Sequence, residues 1–110
     1  MKYFVGNNDR INTVYHEFQK GHWDENTFWK DDSIYLSDDL LYTLGIEDLF
    51  IRTIPNYCST DEVEVTPQTW EVVKREAEKE DGNIHESIME ADEWVQNTFL
   101  KYDVFTIIGI

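Results

Sequence analysis

The most regular pattern of apolar and polar positions lies late in the chain. Ile84, Ile88, Ala91, Val95 and Phe99 recur at steps of four, three, four and four. Those steps keep all five on one face of a 3.6-residue helix, so a helix is predicted over about 84–101. Ahead of it, Thr66-Pro67 has the form of an N-cap followed by proline at the first helical position. Trp70, Val73 and Ala77 follow at helical spacing, which predicts a helix over about 67–80. Gly82 reads as a left-handed C-cap of the first helix, and Asn83 with Glu86 as the N-cap and N3 of a capping box for the second. The run Val104-Phe105-Thr106-Ile107-Ile108, bounded by Asp103 and Gly109, is β-branched and aromatic and reads as a buried strand.

The first half is less regular. Tyr3-Phe4-Val5 is a short apolar run ending in the turn Gly6-Asn7-Asn8, and reads as a strand over 2–5. Ile11, Val14, Tyr15 and Phe18 fall at i, i+3, i+4 and i+7, a helical period that Asn8 or Asp9 would cap and Gly21 would end. The β-branched and asparagine content of the same stretch suits a strand equally, so 11–20 stays open between the two. Residues 22–33, dense in Asp, Asn and Trp, read as a loop with Trp23, Phe28 and Trp29 turned inward. Ile34-Tyr35-Leu36 looks extended. Ser37 then caps a helix whose first turn holds Asp38 and Asp39, where the helix dipole favours acids. Leu40, Leu41 and Leu44 form its apolar face and Gly45 ends it. Residues 49–54 read as a further strand, closed by Pro55-Asn56.

Strands at both chain ends and firm helices near 67–80 and 84–101 make an α+β fold, a small sheet covered on one face by helices. At 110 residues the expectation is a single compact domain, 1–110. Four Trp, six Tyr and six Phe supply enough apolar area for a core without disulfides or metal.

Charge changes the picture more than hydrophobicity does. The net charge is −14. Residues 1–60 hold 10 acids and 5 bases, and residues 61–110 hold 13 acids and 4 bases, so the second half carries most of the negative field. Such a field repels nucleic acid and anionic membrane and attracts cationic partners. No stretch approaches the ~20 apolar residues of a membrane span. One cysteine, Cys58, and no signal-peptide apolar region point to a cytoplasmic location.

Candidate chemistry is sparse. His16, His22 and His85 lack the i, i+4 spacing of a helical metal pair, and a single cysteine leaves a structural zinc site without its usual ligands. Acid pairs such as Asp24-Glu25 and Asp31-Asp32 are common, but possible starts at Asn7, Asp24 and Asp31 do not follow the ligand pattern of an EF-hand, and a solvated acidic surface is the reading kept. Cys58 stands beside acids, which would raise a thiol's pKa and argue against a nucleophile. No nucleophile elbow, phosphate loop or dinucleotide fingerprint occurs. No catalytic residue, metal or cofactor is therefore assigned, although missing motifs do not exclude an enzyme.

Two features point to binding. Trp23 and Trp29 stand among Asp24, Glu25, Asp31 and Asp32, an arrangement that suits aromatic anchors within an acidic rim. Glu86, Glu90 and Glu93 form an acidic ridge on the last helix at a spacing where like charges are mildly destabilising. These nine residues are the candidate contact set for a basic protein. In composition the chain is similar to small bacterial immunity and inhibitor proteins, and to phage proteins that mimic the charge of DNA. That resemblance carries no site residue across. The leading expectation is a non-enzymatic acidic protein that neutralises a basic macromolecule. A small enzyme or ligand-binding domain with an aromatic-lined pocket, and a structural subunit of a complex, are the alternatives.

Overall fold

In a computed structural model, which describes residues 1–80 and 82–110, the strands and helices follow one another as β1 (Phe4–Val5), β2 (Tyr15–Lys20), β3 (Ile34–Ser37), α1 (Asp38–Thr43), α2 (Ile46–Thr53), β4 (Glu62–Val65), α3 (Pro67–Ala77), α4 (Gly82–Phe99) and β5 (Phe105–Ile108). A 3-10 turn spans Asn7–Asp9. The strands form one antiparallel sheet in the order β1-β3-β2-β5-β4, so the last strand is inserted between two earlier ones. The architecture is α+β, as the pattern predicts.

Strand alternation divides the sheet into two faces. Phe4, Phe18, Leu36, Val65, Phe105 and Ile107 point into the core shared with the helices. There Phe18 stacks on Phe105 with centroids 5.5 Å apart, and Trp70 meets Phe105 edge-on at 5.5 Å. Each such buried side chain contributes roughly 1.5–3 kcal/mol of transfer free energy. Ile84, Ile88, Ala91 and Val95 are all buried, as the stripe on α4 requires.

The opposite face carries Tyr15, Glu17, Gln19, Tyr35, Thr106 and Ile108, and all six are buried. Residues 21–33 fold back over this face. Thr106 Oγ1 donates to Gly21 O at 2.8 Å, and Gln19 Nε2 donates to Thr27 O at 2.8 Å.

This second cover decides 11–20. Tyr15–Lys20 is a strand, not a helix, residues 11–14 belong to neither, and every residue from Tyr15 to Gln19 is buried. Ile11, the first member of the helical count, is 87% exposed. The helical spacing was coincidental because the count left out the buried polar residues between its members: the loop satisfies Glu17 and Gln19, and His16, on the opposite face, meets Asp38.

Three further expectations change. Residues 49–54 fall in α2, not a strand: Ile46, Leu49, Phe50 and Thr53 bury one helical face. Gly45, at φ 84°, separates α1 from α2 and supplies the left-handed turn between them. Residues 62–65 form an unforeseen strand, β4. Gly82 is the first residue of α4 rather than a left-handed cap, so Asn83 lies inside the helix. Glu86 then turns its carboxylate to Tyr3 instead of closing a capping box.

Candidate functional site

The loop over 21–33 is built around an acid that sequence reasoning passed over. Glu17 is 2% exposed. Its carboxylate accepts from Trp29 N at 2.8 Å, Lys30 N at 2.9 Å, Ser33 Oγ at 2.7 Å and Tyr35 OH at 3.2 Å. Buried charge is costly unless hydrogen-bonded, and here it is fully engaged. Burial, with Glu17 alongside, pushes the Tyr35 phenol upward, so it stays a neutral donor. Trp29 adopts φ 60°, an uncommon conformation for a bulky residue. It stacks on Tyr35 with centroids 5.8 Å apart and lies 4.0 Å beneath the Arg10 guanidinium. The same guanidinium lies 5.3 Å from the Tyr35 ring, so Arg10 rests against both rings and Trp29 is half-buried.

The tip of the loop is set by Asp24. Its carboxylate accepts from the Thr27 hydroxyl at 2.6 Å and from the backbone of Thr27 and Asn26 at 2.7 and 2.9 Å. Those donors, the Thr27 hydroxyl foremost, lower its pKa to about 2. Asp24 therefore shapes the turn, with Glu25 beyond it at φ 66°. Trp23 is half-buried, donates from Nε1 to Thr27 O at 2.8 Å, and packs against exposed Phe28 at 5.3 Å. Asp31 accepts from Asn7 Nδ2 at 2.9 Å. The Asp32 side is held by its carbonyl, which accepts from Trp94 Nε1 at 2.9 Å.

Beside this loop lies a cleft of about 520 Å³, lined by Trp23, Glu25, Pro55, Asn56, Glu62, Val63, Glu64, Thr66, Thr69 and Thr106. Glu62 and Glu64 stand on the loop-covered face of β4, in register with Ile108 and Thr106. Three carboxylates and a tryptophan thus share one concave surface, and neither lysine nor arginine lines it. Among the described residues the basic partner of these acids is His22, whose Nδ1 meets Glu64 Oε2. That contact raises the His22 pKa. A hydrogen bond with neighbouring Asp61, aided by its charge, raises the pKa of Glu62, while Asp61 is lowered. Lys2, Arg52, Lys74 and Lys79 are paired with acids elsewhere.

The ridge on α4 is used differently from the loop. Glu90 accepts from the backbone of Lys2, Tyr3 and Phe4 at 2.7–2.9 Å. Glu86 accepts from Tyr3 OH at 2.6 Å, which lowers its pKa. Both acids secure β1. Glu93 is exposed and lines a separate groove with Met1, Ile34, Met89 and Trp94. The nine candidate residues therefore do not form one surface. Trp23 and Glu25 line the cleft, while Asp24, Trp29, Asp31 and Asp32 build the loop. Glu62 and Glu64 were missed, although the alternation Glu62-Val63-Glu64-Val65 marks a strand with acids on one face.

Cys58 departs from its expected direction. Its thiol pKa is lowered, because hydrogen bonding to Thr60, with Sγ 3.2 Å from Oγ1, outweighs the Asp61 and Glu47 carboxylates. His16 is 1% exposed and meets Asp38 Oδ1 through Nε2 at 2.8 Å, which ties β2 to the start of α1. Among the described residues no cluster of three His, Cys, Asp or Glu side chains is placed to hold a metal ion, and no helix is long and apolar enough to cross a membrane.

Comparisons with family models, curated proteins and solved structures return no match.

Proposed function

We propose that this protein binds a basic macromolecular partner, a protein, through the cleft between β4 and the 21–33 loop. One observation carries the reading: Glu25, Glu62 and Glu64 line, with Trp23, one concave site that contains no lysine or arginine. Carboxylates gathered this way repel one another, and an incoming ammonium or guanidinium relieves that repulsion. Trp23 and exposed Phe28 supply the aromatic surface that anchors such contacts. The net charge of −14 steers a cationic partner inward and disfavours nucleic acid and anionic membrane. Covering a partner's basic working surface would make the protein its inhibitor, in the manner of the immunity and DNA-mimic proteins it resembles in composition. The activity asked of it is binding, and no catalytic step is assigned.

The test is a pull-down from the native host at low and high salt, with wild type and a Glu25→Lys/Glu62→Lys variant. A basic protein retained at low salt, released at high salt and lost with the variant is the expected result. An acidic partner, or a small metabolite bound without dependence on ionic strength, overturns the reading.

A further inference from the structure

We infer that the open edge of β4 takes up an extended cationic segment of the partner as an added antiparallel strand, with Lys or Arg at alternate positions. The inference rests on the acidic-cleft reading and specifies how that cleft is filled.

The two edges of the sheet are finished differently. At the β1 edge, the outward Phe4 N–H is taken by Glu90 at 2.7 Å, with Tyr3 and Lys2 N–H on the same carboxylate. At the β4 edge the ladder itself shows which groups face out. Gly109 N donates to Asp61 O at 3.0 Å, which makes 61/109 a hydrogen-bonded pair. In an antiparallel ladder such pairs alternate, so 63/107 and 65/105 follow and Glu62 and Glu64 turn their backbone groups away from β5. The other side of β5 agrees: Gly21 N donates to Val104 O at 3.1 Å, which places 104, 106 and 108 toward β2. Glu62 N is met by Asp61 Oδ1 at 2.9 Å. Glu64 N–H and C=O and Glu62 C=O remain directed outward, beside the cleft that Glu62, Val63 and Glu64 line.

Unpaired edge groups are a template for another strand. The side chains on this edge select its chemistry. Residues of an added strand directly opposite Glu62 and Glu64 share their face, with Cβ atoms about 5 Å away. Glu62 and Glu64 lie about 7 Å apart along β4, the spacing of alternate residues in a facing strand. Lysine or arginine at those two positions meets a carboxylate each, and the nearer side chains extend toward Glu25 and Trp23. A second copy of this chain would bring Glu62 and Glu64 against like charges, so the feature that blunts self-pairing favours a basic strand.

The probe is a synthetic peptide of alternating lysine and threonine, compared with the same peptide N-methylated at each lysine. The two carry equal charge, but only the first can donate along the edge. Titrations at low salt are followed by calorimetry and by hydrogen exchange of the Glu64 amide. The parent peptide is expected to bind and to protect that amide, and the N-methylated one to bind at least about tenfold more weakly without protection. Glu64→Pro, which removes an outward N–H, is expected to weaken parent binding beyond Glu64→Gln, which removes only the charge. Equal, salt-sensitive binding of both peptides overturns strand addition and leaves the acidic cleft standing. No binding of either overturns both readings. Protection of Glu64 by self-association without peptide assigns the edge to a second copy and overturns the inference.

Discussion

The Glu17 carboxylate accepts the Trp29 N–H at 2.8 Å across twelve residues of chain. Trp29 sits at φ 60°, so its backbone holds an uncommon conformation against a buried anion. Such a conformation costs of order 1–3 kcal/mol and persists only where several contacts determine it together. The position of Trp23 and Glu25 at the cleft follows from that anchor.

Glu17→Ala is expected to destabilise the protein by about 3 kcal/mol or more, because it strands the Trp29 and Lys30 amides and the Ser33 hydroxyl under the loop, while Tyr35 OH keeps Lys30 O at 2.6 Å. Glu17→Gln retains the volume but turns an amide donor toward other donors, and a loss of about 1–3 kcal/mol is expected. Urea unfolding followed by tryptophan fluorescence measures both, and a native-like midpoint for Glu17→Ala would refute the anchor.

Glu90 and Glu93 separate structure from surface on one helix. Glu90→Ala is expected to cost about 2 kcal/mol and to release the Phe4 amide to hydrogen exchange, since three backbone donors lose one acceptor. Glu93→Ala should stay within about 0.5 kcal/mol of wild type. Equal effects would contradict the clamp.

The His22–Glu64 pair makes both stability and binding depend on pH. The folded-state pKa of His22 is raised above 6.5 by its hydrogen bond to Glu64. The pair's contribution is therefore full below the unfolded-state value and is lost as pH rises through the folded-state one. Thermal unfolding from about pH 6 to 9 should show that decline in wild type and a flatter profile in His22→Gln. Cation binding should change the opposite way, because an unprotonated imidazole leaves Glu64 free for the partner. An NMR titration giving His22 an ordinary pKa would remove both effects.

Gly109 passes close to the Ser59–Asp61 turn, and a Cβ there would collide with the Ser59 and Asp61 carbonyl oxygens. Gly109→Ala is expected to cost about 1–3 kcal/mol and to break the Gly109–Asp61 hydrogen bond that ends the β4–β5 ladder. Calorimetric melting checks the stability, and amide exchange at Gly109 checks the bond.

What could be read from the sequence was what one element determines alone. The stripe of α4 and the Thr66-Pro67 start of α3 depend on local spacing and capping, and both appear in the structure. What could not be read depends on a second layer. Glu17 and Gln19 look like solvent positions until residues 21–33 are folded over them, and His16 until α1 brings Asp38 to it; together these covers bury Tyr15–Gln19 on both faces of the sheet. The same holds for the ridge: Glu86 and Glu90 look free on a helical wheel, and only the arrival of Tyr3, 83 residues away from Glu86, shows them occupied. The alternation in Glu62-Val63-Glu64-Val65 was legible but short.

The place of β5 between β2 and β4 sets an order for assembly during synthesis. Residues 15–20 and 62–65 leave the ribosome before 105–108, so neither strand has its inner neighbour until the last element emerges. Until then β2 exposes a bare edge beside β3, and β4 has no sheet to join. A nascent chain halted before Phe105 is therefore the species most open to aggregation and proteolysis, and completing β5 converts two separate fragments of sheet into one.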